Sequence, residues 1–117
     1  MITAAETKAK FKENPISWKQ SLQDFVEDFR QKKNPVAIDE PFELSDERKD
    51  AVLAGTIEML CDQMSIPIPK WLYEVPACKK PYFVAEDDDL MALELIQSPV
   101  RFRIRKVFAL ENFLFRV

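Results

Sequence analysis

Two stretches of the chain repeat their apolar residues at the spacing of an α-helix. The first runs from Ile16 to Lys33, and its apolar positions are Trp18, Leu22, Phe25, Val26 and Phe29. These positions share one face, which predicts an amphipathic helix packed against a core. We expect this helix to end at Asn34, because Pro35 disfavours the helical conformation in the residue before it.

The second stretch predicts a longer helix from about Asp46 to Met64. Its apolar stripe consists of Leu53, Ile57, Leu60, Cys61 and Met64. Ser45 is the predicted N-cap, and the acidic residues that follow it suit the positive end of the helix dipole. Gly55 lies inside this helix, where glycine costs about 1 kcal/mol relative to alanine. It therefore predicts a close contact with another helix.

Residues 65–83 interrupt the helical pattern with four prolines and four aromatic residues. The aromatic residues are Trp71, Tyr73, Tyr82 and Phe83. A short turn of helix is predicted at Lys70 to Glu74, within an otherwise extended connection. Such aromatic side chains are typical of residues that cover the core beneath an irregular segment. A platform on which nucleotide bases stack is the less favoured interpretation.

An acidic run from Glu86 to Asp89 introduces the next predicted helix, which ends near Gln97. Carboxylates at a helix start complement its dipole, and their spacing here matches no calcium-binding loop. We therefore interpret the run as a helix cap and not as a metal site.

The tail, residues 98–117, allows two structural interpretations. The alternation of apolar and basic residues from Val100 to Arg105 fits a strand. Ser98-Pro99 instead favours a helix start, with serine as N-cap and proline at the first helical position. We favour a short helix followed by an extended segment, and in that helix one stripe holds Val100, Ile104 and Val107.

These elements predict a mainly α fold, a small single-domain helical protein of three to four helices spanning residues 1–117. A proline- and aromatic-rich connection and a partly extended carboxyl-terminal tail complete it. The pattern leaves residues 1–14 open to being flexible. The length of 117 residues is enough for one hydrophobic core.

The composition argues against an enzyme. The chain has no histidine, which removes the commonest general base and the imidazole ligand of most catalytic zinc sites. Gly55 is its single glycine, so a glycine-rich phosphate-binding loop is excluded. We expect no catalytic residue, no cofactor and no metal. The net charge of −3 provides no general attraction to nucleic acid.

The cysteines and the amino terminus indicate a reducing compartment. Cys61 and Cys78 are isolated in the sequence and are interpreted as reduced thiols, neither nucleophiles nor a disulfide. The first fourteen residues carry charge throughout and lack the apolar stretch of a signal peptide. No stretch reaches the roughly 20 apolar residues that a membrane span requires. We expect a cytoplasmic protein that does not enter a membrane.

The tail also carries a family resemblance. Its pattern is Ser98, Pro99, Phe102, Arg105, Val107, Phe108, Leu114, Arg116 and Val117, and upstream lie Pro69-Lys70-Trp71 and Tyr82-Phe83. Residues 66–117 thereby resemble the carboxyl-terminal module of small, often uncharacterised bacterial proteins. Some of these have an amino-terminal helix-turn-helix, and some are encoded beside a predicted nucleotidyltransferase in toxin–antitoxin-like gene pairs.

This chain departs from that family in two respects. Lys106 replaces the asparagine expected before the aliphatic-phenylalanine pair, and the amino-terminal half contains no recognisable helix-turn-helix. The resemblance implies a non-catalytic accessory or antitoxin-like protein rather than a known reaction.

The leading hypothesis for function is a protein that binds a partner, such as a toxin encoded by a neighbouring gene, and occludes its working surface. The candidate partner-binding residues are Phe102, Arg105, Phe108, Phe113, Phe115 and Arg116. The two arginines could pair with carboxylates inside the fold or across the interface. Phe113, Leu114 and Phe115 are adjacent and cannot all face one way, so some need a second surface, from a subunit of a homo-oligomer or from a partner.

The alternative hypothesis is a nucleic-acid-binding module or transcriptional regulator. The candidate residues for this function are Arg101, Arg103, Arg105 and Lys106, which form a local basic segment in an acidic chain.

Overall fold

The structure is a computed structural model, and it describes residues 1–85 and 87–114. Over these residues the chain forms five α-helices: α1 (Ala4–Glu13), α2 (Trp18–Lys32), α3 (Glu47–Met64), α4 (Asp88–Gln97) and α5 (Val100–Ile104). The same residues form two short strands, β1 (Tyr82–Phe83) and β2 (Val107–Phe108), and three 3₁₀ turns, Pro15–Ser17, Pro35–Ile38 and Lys70–Glu74. The predicted mainly α fold is confirmed. None of the helices in this described part of the chain combines the length and apolarity of a membrane span.

The core is built around α3. Every residue of α3 from Asp50 to Glu58 is buried. Helix α2 packs with its predicted stripe, and the buried side chains are Trp18, Leu22, Phe25, Val26 and Phe29. The predicted close contact at Gly55 is confirmed, because a Cβ atom there would lie 2.6 Å from Cδ1 of Phe102 in α5.

The N-cap of α3 is Asp46 and not Ser45. The Asp46 carboxylate accepts hydrogen bonds from the backbone N–H groups of Arg48 at 3.1 Å and Lys49 at 3.3 Å. The Ser45 hydroxyl instead accepts a hydrogen bond from the ammonium of Lys8 at 3.1 Å. A carboxylate suits this position because it caps the orphan N–H groups and complements the dipole.

Helix α1 forms within the segment that the sequence pattern left open to flexibility. Thr3 caps it, with its hydroxyl accepting the N–H of Glu6 at 3.1 Å. Lys8 is buried and its ammonium forms an ion pair with the carboxylate of Asp50 in α3. This pair joins the amino terminus to the central helix, and a buried lysine requires such a partner.

The predicted short turn of helix at Lys70–Glu74 is present as a 3₁₀ turn, and the packing role of its neighbours is confirmed. The indole N–H of Trp71 donates to the carbonyl of Ile38 at 3.0 Å, and its ring meets that of Phe42 edge-on. Tyr82 is buried as well. Tyr73 differs from them because its side chain is exposed.

The tail forms a short helix followed by an extended segment, as predicted. The extended part, β2, pairs in parallel with β1, with Tyr82 opposite Val107 and Phe83 opposite Phe108. The sequence pattern did not identify this partner strand. The stripe predicted along α5 is wrong, because Val107 is buried whereas Val100 and Ile104 are exposed.

Ser98 does not cap α5, although Ser98-Pro99 does precede the helix. Pro99 occupies the N-cap position and provides no side-chain hydrogen bond. The hydroxyl of Ser98 accepts the N–H of Ala109 at 2.8 Å and lies 3.1 Å from the Ala109 carbonyl. Ser98 therefore joins the start of the tail to the residue after β2.

Candidate interaction surface

Arg105, a candidate in both functional hypotheses, is an interior residue. It is 6% exposed, and its Nε donates to Oε1 of Glu58 at 2.6 Å. Its two terminal nitrogens donate to the carbonyls of Val75 at 2.8 Å and Leu72 at 2.9 Å. The guanidinium thus joins α5 to α3 and to the Lys70–Glu74 turn. This pairing inside the fold argues against Arg105 as a contact residue for a partner or a nucleic acid.

Arg101 and Arg103 are also engaged within the chain. Arg101 forms a bidentate pair with Asp62 at 2.7 and 3.0 Å, and this hydrogen bonding lowers the pKa of the Asp62 carboxyl. Arg103 donates to the carbonyls of Ser98 at 2.7 Å and Ile96 at 2.6 Å, at the end of α4. Lys106, the fourth residue of the predicted basic segment, is exposed. The geometry does not favour the nucleic-acid hypothesis.

Of the predicted aromatic anchors, Phe102 is buried, and Phe108 and Phe113 are half-buried. Phe102 is 1% exposed, and its ring meets that of half-buried Phe113 at a centroid distance of 6.2 Å. Phe113 also contacts Trp18, and half-buried Phe108 stacks on Phe83 at 5.2 Å. Phe102 is therefore a core residue and not a docking anchor, since its position against Gly55 buries it. The candidates Phe115 and Arg116 lie outside the described residues.

The exposed apolar surface lies instead on α4 and on the outer side of α5. In α4 the buried residue is Glu94, whereas Leu93, Leu95 and Ile96 are exposed, Ile96 to 74%. In α5 Val100 is 69% and Ile104 is 64% exposed. Large apolar side chains grouped at the surface are typical of interaction sites. The run LMALELIQ carried a signal for this, because its apolar residues surround the helix rather than following one face.

Tyr73, Ala77, Val100 and Ile104 will be called the α5 face. Three of these residues, Tyr73, Ala77 and Ile104, line a shallow depression of about 260 Å³. Glu58 and Arg105 form part of its wall, so the buried ion pair lies directly behind the apolar surface. The depression has the size for an apolar side chain from a partner protein.

The inward side of α4 contains a buried carboxylate. Glu94 is fully buried, and its Oε2 accepts the N–H of Ala85 at 3.2 Å. Its Oε1 has no hydrogen-bond partner among the described residues. Desolvation raises the pKa of this carboxyl. Burial of the one charged residue in an otherwise apolar helix segment is what turns the apolar side chains outward.

The thiols offer no reactive centre. Cys61 and Cys78 are both buried and free. Burial raises the pKa of Cys61 to about 11 and also raises that of Cys78. A thiol in this state is a poor nucleophile at neutral pH. Across residues 1–85 and 87–114, no group of three or more potential metal-ligating side chains comes together.

Comparisons with protein-family models, with curated proteins and with solved structures gave no match to this chain.

Proposed function

We propose that this chain is a non-enzymatic protein that binds a partner protein through the α5 face and occludes the surface it covers. The observation that carries the proposal is the exposure of Val100 and Ile104 on a helix that is otherwise fixed to the core. These two aliphatic side chains lie one helical turn apart and point away from buried Phe102.

The rigidity of α5 supports this role. Phe102 packs against Gly55, Arg101 pairs with Asp62, and Arg105 pairs with Glu58. A short helix held at three positions can present apolar side chains without a large loss of conformational entropy on binding. Apolar anchors surrounded by polar groups are typical of the central part of protein interfaces.

The proposed partner is a protein with a protruding apolar side chain that enters the depression between Tyr73 and Ile104. The resemblance of residues 66–117 adds the finer proposal that this partner is a toxin encoded by a neighbouring gene, with this chain as its antitoxin. The proposed location is the cytoplasm, where a reducing environment keeps Cys61 and Cys78 as thiols.

The test is co-expression of the chain with the product of the neighbouring gene, followed by affinity capture. The wild-type chain should capture that product and relieve its toxicity, whereas Ile104→Glu and Val100→Glu should lose both effects. Ile16→Glu is the matched control, because Ile16 is 95% exposed and lies on a different element. Capture that survives both α5 substitutions would refute the α5 face as the docking surface. A chain that neither captures the product nor affects its toxicity would refute the antitoxin proposal.

A further inference from the structure

Helix α4 presents a second surface, which is distinct from the α5 face. Leu93 and Ile96 lie on it about one turn apart and are exposed. Asp88 and Asp89 are exposed in its first turn. Leu93, Ile96, Asp88 and Asp89 will be called the α4 face. Its inward side is occupied by Glu94, and Leu93, Leu95 and Ile96 are exposed although Leu90 and Met91 are half-buried.

Charged residues of opposite sign lie at the two ends of α4, and the basic one comes from α5. The aspartates occupy the amino-terminal end, and Asp87 caps it by accepting the N–H of Asp89. At the other end the guanidinium of Arg103 lies 2.6 Å from the carbonyl of Ile96. Ten residues of helix span about 15 Å. The aspartates thus lie at one end of this surface and Arg103 at the other, with exposed apolar side chains between them.

A surface with this polarity is complementary to itself. When two copies of α4 lie antiparallel across a two-fold axis, the aspartates of each copy meet the Arg103 of the other copy. The same arrangement places the exposed apolar side chains together in the middle. In an isologous contact each residue pair occurs twice, so both charged ends contribute. A parallel arrangement would instead place like charges side by side.

We propose that the α4 face binds a second copy of this chain in an antiparallel, two-fold-symmetric helix pair. The charge complementarity of the two ends favours a second copy over an unrelated protein, which would need the opposite polarity by chance. The α5 face takes no part in this contact, so the two proposals can fail separately. A contact between single short helices belongs to the small and weak class of interfaces.

Sedimentation of the full chain tests the dimer. We expect the mass to rise above the 13.7 kDa of one copy as the concentration increases through roughly 10–500 µM, the range of weak interfaces. Ile96→Glu should keep the protein monomeric throughout, whereas the control Ile16→Glu and the α5 variant Ile104→Glu should dimerise like wild type. A monomer at every concentration, or a dimer unaffected by Ile96→Glu, would overturn the proposal.

Charge reversal tests the polarity. A variant with Asp88→Lys and Asp89→Lys has two basic ends, and an Arg103→Glu variant has two acidic ends. Each alone should be monomeric, and an equimolar mixture should dimerise. Circular dichroism must first show that each variant is folded, because Arg103 also bonds within the chain. If the Arg103 variant is unfolded, the salt dependence of wild-type dimerisation is measured instead. A dimer that does not weaken as salt increases would contradict the charge pairing.

Crosslinking tests the orientation. Leu93 lies near the middle of α4, close to the expected two-fold axis, so Leu93→Cys should form a disulfide-linked dimer on mild oxidation. Asp88→Cys should not, because antiparallel packing separates the two Asp88 positions by most of the helix length. The native Cys61 and Cys78 are buried and should stay unreacted. Efficient crosslinking of both variants would indicate a parallel pair and refute the proposed arrangement.

Discussion

Replacing Arg105 with methionine should destabilise the fold more than replacing any other charged residue between positions 98 and 114. Methionine keeps much of the side-chain volume and removes the guanidinium. Three acceptors lose their donor: Oε1 of Glu58 and the carbonyls of Leu72 and Val75. The side chains of Arg105 and Glu58 are each 8% exposed, so water cannot readily replace the lost bonds.

The expected loss follows from this burial. Removing one member of a buried ion pair costs about 3–5 kcal/mol, because an uncompensated charge stays in the interior. Arg101 lies 3.8 Å from the other Glu58 oxygen, which is too far for a hydrogen bond. It therefore offsets only part of the cost of the unpaired Glu58 carboxylate. The unpaired carbonyls contribute through the same desolvation, so we expect a total of about 3–5 kcal/mol. That is a large fraction of the roughly 5–15 kcal/mol that stabilises a typical domain.

Urea denaturation followed by far-UV circular dichroism measures this loss. Arg101→Met is the matched control, because its partner Asp62 is exposed and such pairs contribute about 0.2–1 kcal/mol. The double variant Glu58→Leu with Arg105→Met removes both buried charges and should recover part of the loss. A loss of stability below about 1 kcal/mol for Arg105→Met would refute the reasoning. So would a double variant whose loss equals the sum of the losses of the two single variants.

Three further changes probe other parts of the fold. Gly55→Ala should lower the free energy of unfolding, because overpacking against buried Phe102 costs about 1–3 kcal/mol. This cost should exceed the gain of about 1 kcal/mol from the higher helix propensity of alanine. A stabilised variant in urea denaturation would contradict this prediction. Lys33→Gly should raise the free energy of unfolding by up to about 1 kcal/mol, because the C-cap of α2 has φ 51°; a lower urea midpoint would argue against it. Burial raises the pKa of Glu94 above its ordinary value of 4.5. The folded chain therefore retains a proton that the unfolded chain releases. The free energy of unfolding should fall as pH rises from 4.5 through the raised pKa of the folded state. Denaturation across pH should show a smaller fall for Glu94→Gln, and parallel curves for the two proteins would exclude the effect.

The helices that the sequence predicted are those with local signals. The periodicity of α2 and α3, the aspartates before α4 and the prolines around the Lys70–Glu74 turn each act within a few residues. Their bounds in the structure therefore fall close to the predicted ones. The predicted short helix followed by an extended segment is also confirmed, and Ser98-Pro99 does precede that helix.

The features that the sequence did not reveal depend on distant residues. Helix α1 has a weak apolar face, and its buried Lys8 pairs with Asp50, 42 positions away. The partner of β2 is a strand of two residues inside the proline-rich connection. Neither pairing leaves a periodic pattern in the sequence, because each requires the chain to be folded before the partners meet.

The burial of Arg105 could not be predicted for the same reason. Arginine in an alternating segment suggests an exposed basic surface, and nothing nearby in the sequence identifies Glu58, 47 positions upstream, as the partner of Arg105. The inward orientation of Glu94 is equally non-local, since it depends on the N–H of Ala85. Residue type alone did not predict which of these side chains reach the surface.

The geometry of α5 links the residues that the sequence singled out to the surface that it missed. Successive residues of an α-helix are rotated by about 100°, so Val100 and Ile104, each two positions from Phe102, lie about 200° away from it. Burying Phe102 against Gly55 therefore exposes both aliphatic side chains. The ion pairs of Arg101 and Arg105 fix the rotation of the helix. Any change that releases them should weaken the proposed partner binding without altering the α5 face itself.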